Sequence, residues 1–72
     1  MCIVNVWWAG HKLQQVEVSH AEINIIVEQW QNKLDSGEEF FTSVGVKMRP
    51  TGLCIDVFSE GKLILQRDLK RS

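Results

Sequence analysis

The chain has 72 residues, a formal net charge of −1 and a hydrophobic fraction of 44%. This apolar content excludes a disordered chain, and the length suits one small domain over residues 1–72. The near-neutral charge argues against strong non-specific binding to nucleic acid, which depends on neutralising phosphates. Cys2 and Cys54 are the only cysteines, too few for a disulfide framework.

The first residues show no targeting signal. They lack a basic segment, and the apolar run from Ile3 to Ala9 is interrupted by Asn5, so no signal peptide is predicted. No apolar run reaches the length of a membrane span. Together with cysteines that need no oxidising compartment, these features predict a cytoplasmic protein without membrane contact.

The first two predicted elements are strands. Residues 2–8 are rich in β-branched and aromatic side chains, and residues 13–18 form a second strand-like run after a turn at residues 9–11. A three-residue loop places Val4 opposite Val16, a better match than the Val4–Glu17 pairing that a four-residue loop would give. In this register Trp7 and Leu13 lie together on the outer face of the sheet.

A helix is predicted from Ser19 to Gly37. Ser19 and Glu22 fit a capping box, and Gly37 suits the left-handed residue that ends a helix. Ile25 lies opposite the apolar stripe, either as an ordinary exposed residue or as a weaker candidate for a partner contact. The stripe itself consists of Ile23, Ile26, Val27, Trp30 and Leu34.

Three more strands are predicted after the helix. Alternating apolar residues predict a third strand over residues 40–48, a fourth over residues 53–58 and a fifth from residue 62 to about residue 68. A three-residue loop at residues 59–61 pairs Val57 with Leu63. Residues 69–72 are predicted to be a frayed tail.

The predicted fold is therefore α+β, with the element order ββαβββ. One antiparallel sheet carries the amphipathic helix on its inner face. The outer face would then hold several large apolar side chains, which is unusual for a surface in water. Three explanations remain open: the sheet curls and buries them, a second copy covers them, or they bind another ligand, peptide or nucleic acid.

We interpret the chain as a small non-enzymatic module that binds proteins, either a second copy as a homodimer or another protein. Aromatic side chains are typical anchors of such interfaces. The predicted contact residues are Trp7, Leu13, Phe41, Phe58 and Ile64, with Ile25 as a weaker member. In the alternative, a nucleic acid stacks on the aromatic residues and its phosphates meet Lys47, Arg67, Lys70 and Arg71.

Catalytic and metal-binding patterns are weak. A pair of Cys2 and His20 is conceivable because Cys2 is predicted opposite Val18, but a small buried thiol beside a surface imidazole is the favoured interpretation. Cys2, His20 and Cys54 lack the short spacing of zinc ligands, and the glycines are isolated instead of forming a phosphate loop. We therefore predict no enzyme activity, no metal and no cofactor.

Overall fold

The architecture comes from a computed structural model, in which residues 1–41 and 44–72 are described. The elements of this part of the chain are β1 (Cys2–Trp8), β2 (His11–Val18), α1 (Ile23–Asp35), β3 (Phe40–Phe41), β4 (Lys47–Met48), β5 (Gly52–Ser59) and β6 (Lys62–Lys70). A short 3₁₀ turn, His20–Glu22, precedes α1. Four strands form an antiparallel sheet in the order β2-β1-β5-β6, and β3 pairs with β4 in a small second sheet.

The predicted α+β class, with an antiparallel sheet and a helix on one face, is confirmed. The third predicted strand differs, because its two ends are short strands that pair with each other. Gly45 lies between them with a φ of 81°, a conformation that favours glycine and helps the chain reverse. Thr42 and Ser43, which belong to that predicted strand, lie outside the described residues.

The core forms between α1 and the inner face of the large sheet. The predicted helix stripe is confirmed: Val27, Trp30 and Leu34 are buried, and the other two members pack against the same cluster. The Trp30 indole nitrogen donates a hydrogen bond to the Gln14 side-chain oxygen at 2.8 Å, so its polar atom is satisfied inside the contact. The sheet side of the core consists of Cys2, Val4, Val6, Val18, Leu53, Ile55, Val57 and Leu69.

Both ends of the helical segment carry the predicted signals. The Glu22 carboxylate accepts hydrogen bonds from the Ser19 hydroxyl at 2.8 Å and the Ser19 amide at 3.1 Å. These bonds, the hydroxyl first, lower the pKa of Glu22. At the other end Gly37 has a φ of 71°, and the amides of Gly37 and Glu38 bond to the carbonyls of Leu34 and Lys33. This is the Schellman pattern that satisfies the last carbonyls of a helix.

Two tight turns replace the predicted three-residue loops. Trp8 pairs with His11 and Ser59 pairs with Lys62, so each hairpin turns through two residues only. In both turns, Ala9-Gly10 and Glu60-Gly61, the two residues have positive φ. This is the type I′ geometry, which matches the natural twist of paired strands.

A β-bulge follows each turn and resets the register. In β2 the unpaired residue is Leu13, and beyond it Val4 pairs with Val16 as predicted. In β6 the unpaired residue is Ile64, and Val57 consequently pairs with Leu65 and not with Leu63 as predicted. One extra residue on one strand thus allows a tight turn and a matched core face in the same hairpin.

The C-terminal residues are ordered against the helix, unlike the predicted frayed tail. β6 runs to Lys70, and Leu69 is buried opposite Leu53. The Arg71 guanidinium donates to the carbonyl oxygens of Leu34 at 3.1 Å and Pro50 at 3.0 Å. Arg71 therefore ties the end of the helix to the loop before β5, which sequence alternation could not indicate.

Truncation of Leu34 should test the helix–sheet core. Leu34 is 1% exposed, so Leu34→Ala should lower the free energy of unfolding by about 2–5 kcal/mol through lost burial and a cavity. Urea denaturation followed by circular dichroism measures this change. The matched control is Ile25→Ala on the same helix, which is 53% exposed and should change stability by no more than about 0.5 kcal/mol. Equal losses in both variants would contradict the described packing.

Candidate interaction face

The side of the large sheet opposite α1 is named the open face. Strand pairing arranges its outward side chains in three rows, each crossing all four strands in the order β2, β1, β5, β6. The central row is Gln15, Asn5, Asp56 and Gln66; one flanking row is Glu17, Ile3, Phe58 and Leu63, and the other is Lys12, Trp7, Cys54 and Asp68.

Three members of the central row, Gln15, Asn5 and Asp56, form a connected hydrogen-bond network with Trp7. The Gln15 amide donates to the Asn5 side-chain oxygen at 3.0 Å, and the Asn5 amide donates to one Asp56 oxygen at 2.9 Å. The Trp7 indole nitrogen donates to the other Asp56 oxygen at 2.9 Å. Asn5 is only 6% exposed, and both of its side-chain polar atoms are bonded. The network therefore fixes the orientation of Trp7 before any partner arrives.

The flanking rows are more apolar and carry charge at their ends. Ile3 lies beside Phe58 in one row, and Trp7 lies beside Cys54 in the other. The Lys12 ammonium lies 5.0 Å from the centre of a Trp7 ring, a cation–π distance. Each row thus has an apolar middle and at least one charged end, Glu17 in the first row and Lys12 and Asp68 in the second, while Leu63 extends the apolar part of the first row to its other end.

One shallow cavity opens on this face, and another lies at its edge, where open-face residues meet the inward residues Trp8, Leu53 and Leu69. One has a volume of about 400 Å³ and the other about 340 Å³. The first is lined by Met1, Ile3, Asn5, Gln15, Glu17, Phe58, Glu60 and Gly61, and the second by Trp7, Trp8, Ala9, Gly10, Gly52, Leu53, Cys54, Asp68, Leu69 and Lys70.

The open face has an internal pseudo-twofold symmetry. The two hairpins correspond when the chain is shifted by the 51 residues that separate Asn5 from Asp56. These two residues pair directly across β1 and β5, so the axis passes between them. The shift also relates the two turns, the two bulges and six pairs of residues that line the two cavities: Met1 with Gly52, Ile3 with Cys54, Trp7 with Phe58, Ala9 with Glu60, Gly10 with Gly61, and Glu17 with Asp68.

The sequence signal for this symmetry is faint. Over the two hairpins, the equivalent positions are identical at Val6 and Val57, Gly10 and Gly61, and Gln15 and Gln66. A polar residue in the middle of an apolar strand, Asn5 in β1 and Asp56 in β5, was the one available sign of the central network. Alternation along the strands predicts both residues on the outer face but does not indicate that they bond to each other.

Two of the predicted contact residues, Trp7 and Phe58, lie on the open face, one in each flanking row. Leu13 does not join them, because as the bulge residue of β2 it packs against the core. Ile64 is the unpaired bulge residue of β6, and Leu63 instead occupies the position opposite Phe58.

The remaining predicted contact residues belong to other surfaces. Phe41 is exposed in β3, which pairs with β4 outside the large sheet. Ile25 is exposed on α1, and α1 covers the inner face. A single interface therefore cannot contain the whole predicted set.

The basic residues of the nucleic-acid alternative are dispersed. The Lys47 ammonium lies 2.6 Å from a Glu39 oxygen, and Arg71 binds backbone carbonyls of the helix end and the β5 loop. Arg67 is opposite the inward residue Ile55, while Lys70 lines the smaller cavity. The open face meanwhile carries the carboxylates of Glu17, Asp56 and Asp68, which would repel phosphates.

Cys2 and His20 lie close together, with 3.5 Å between the sulfur and the imidazole Nε2. Cys2 is 0% exposed and belongs to the core, so its thiol has no access to a substrate in this arrangement. Cys54 lies on the opposite face of the sheet. Among residues 1–41 and 44–72, no group of three or more histidine, cysteine or acidic side chains is placed to hold a metal ion.

No helix in the described part of the chain has the length and apolar character needed to cross a membrane. No protein family, curated protein or solved structure was found to match the chain.

Alkylation of Cys54 should report the electrostatics of this face. Burial raises the pKa of the Cys54 thiol, and the negative charge of Asp68 raises it further. Asp68→Asn should therefore lower this pKa, so that the midpoint of the alkylation rate against pH moves down and the rate below the midpoint rises, because the thiolate is the reacting form.

The measurement uses dilute protein and a maleimide or iodoacetamide reagent, with Cys54→Ser to measure the background from buried Cys2. Glu17→Gln is the matched control, since it removes an acid from the other flanking row and should leave the midpoint unchanged. An unchanged midpoint in Asp68→Asn would contradict the electrostatic contact between Asp68 and Cys54.

Proposed function

We propose that the protein is a non-enzymatic interaction module that self-associates through the open face. The main support is that α1 covers only one of the two faces of the sheet. The inner face is covered by α1, whereas the open face presents Trp7, Phe58 and the 51% exposed Leu63 around a fixed polar row. Large apolar side chains held in fixed orientations are characteristic of binding surfaces.

The edges of the sheet support the face as the contact surface. β2 and β6 are the two edge strands, and each is interrupted by a bulge, at Leu13 and at Ile64. Bulges on edge strands disfavour the addition of another strand. Self-association by edge pairing is therefore less favourable than packing of one face on another.

The size of the open face indicates a weak complex. Four strands about 4.8 Å apart and three rows about 7 Å apart span roughly 19 Å by 20 Å. This corresponds to a flat area of roughly 400 Å² per partner, within the range of weak and transient protein complexes. We therefore expect a monomer–dimer equilibrium that depends on concentration.

Charge placed on the open face should dissociate the dimer. Leu63→Asp should raise the dissociation constant at least about tenfold, which equals about 1.4 kcal/mol, because a carboxylate would be moved out of water. Ile25→Asp is the matched control, since Ile25 has nearly the same exposure, 53% against 51%, but lies on α1. Sedimentation velocity over a range of concentrations measures both constants.

Trp7→Ala provides a second test, with folding checked by circular dichroism. We expect weaker self-association and a folded monomer. Unfolding of this variant would assign Trp7 a structural role through Asp56 and leave Leu63→Asp as the deciding variant. A wild-type chain that stays monomeric up to about 1 mM, the weak end of measurable affinities, would refute the proposed function.

A further inference from the structure

The pattern of rows and charges on the open face also specifies how two copies would fit together. This inference rests on the proposed self-association and deepens it. We infer that two open faces pack about a twofold axis that runs along the strands, so that Lys12 of each copy meets Asp68 of the other.

The pairing follows from the strand order. A twofold axis along the strands places each row of one copy over the same row of the second copy. It places β2 over β6 of the second copy and β1 over β5. Lys12 and Asp68 occupy opposite ends of the same row, on β2 and β6. Lys12 of each copy therefore lies over Asp68 of the other copy, which gives two ion pairs at the rim of the interface.

The centre of the interface selects the same axis. Along-strand rotation places the Asp56 carboxylate over Asn5 of the second copy, and Gln15 over Gln66. The alternative axis runs across the strands, keeps each strand over itself and exchanges the two flanking rows. That axis places Asp56 over Asp56, and two carboxylates facing each other away from water repel strongly.

In the middle of the flanking rows the along-strand axis places apolar side chains over one another, whereas at the rim it places Glu17 over Leu63 of the second copy. Ile3 lies over Phe58 of the second copy, and Trp7 lies over Cys54. Packed sheets are usually rotated relative to each other by about 30° and separated by about 10 Å. The twofold axis is therefore inclined by about half that angle to the strands. The Lys12 side chain at the rim is long enough to reach Asp68 despite this rotation.

Charge reversal tests the pairing. Lys12→Glu and Asp68→Lys should each weaken homodimer formation at least tenfold, because each creates two like-charge contacts. An equimolar mixture of the two variants should recover a heterodimer with near wild-type affinity, since all its rim contacts are then of opposite sign. The double variant with both changes should recover the homodimer. Sedimentation velocity, with one variant fluorescently labelled in the mixture, measures these affinities.

The control is a mixture of Lys12→Glu with Glu17→Lys. The across-strand axis brings Lys12 over Glu17, so only that axis predicts recovery to near wild-type affinity in this mixture. The along-strand axis leaves one like-charge contact at the rim and predicts incomplete recovery. Lys12, Glu17 and Asp68 are all exposed, and the fold of every variant is checked by thermal unfolding. Lys12→Gln and Asp68→Asn give the same expected direction with a smaller change.

The outcomes separate the geometry from the proposed function. Recovery with Asp68→Lys and not with Glu17→Lys supports the along-strand axis. Recovery with Glu17→Lys, or homodimers that are insensitive to every charge reversal while Leu63→Asp still dissociates them, overturns the axis and leaves self-association intact. A wild-type chain without any dimer overturns both.

Discussion

The antiparallel pairing of β1 with β5 is the constraint on which the rest of the structure depends. It brings together two hairpins that are distant in sequence and places Asn5 directly opposite Asp56 at their shared centre. On the inner side the same pairing aligns Val4 with Val57 and Val6 with Ile55, which makes the floor of the core. The residues between the hairpins are left to provide the helix that covers this floor.

In each hairpin the bulge allows a type I′ turn and a register that directs apolar side chains toward the core. A type I′ turn matches the strand twist, but without an extra residue its register would turn the wrong side chains of the edge strand toward the core. Leu13 in β2 and Ile64 in β6 supply that residue. The same bulges interrupt the edge strands β2 and β6. They therefore also disfavour the addition of another strand at either edge of the sheet.

The open face gains its character from the difference between its centre and its flanks. A polar row in the middle of a sheet needs internal partners, and Asn5, Asp56, Gln15 and the Trp7 indole satisfy one another. This arrangement holds aromatic and aliphatic side chains in place on either side. The proposed self-association matches this arrangement, because a second copy of the chain has the same alternation of rows.

The sequence by itself determined the elements whose signals are local. The capping residues and the 3.6-residue period of α1, the alternation of β1 and β5, and the α+β class follow from side chains a few positions apart. Only the tertiary structure decided the turn lengths, the inward position of Leu13, and the presence of Leu63 instead of Ile64 on the open face. It also decided that β3 and β4 form a separate hairpin and that Leu69 and Arg71 are anchored. A bulge shifts the two-residue period without leaving a mark in composition, and the partners of Asn5 and Arg71 lie far away along the chain. Their positions depend on which strands pair, and strand pairing is a property of the assembled core.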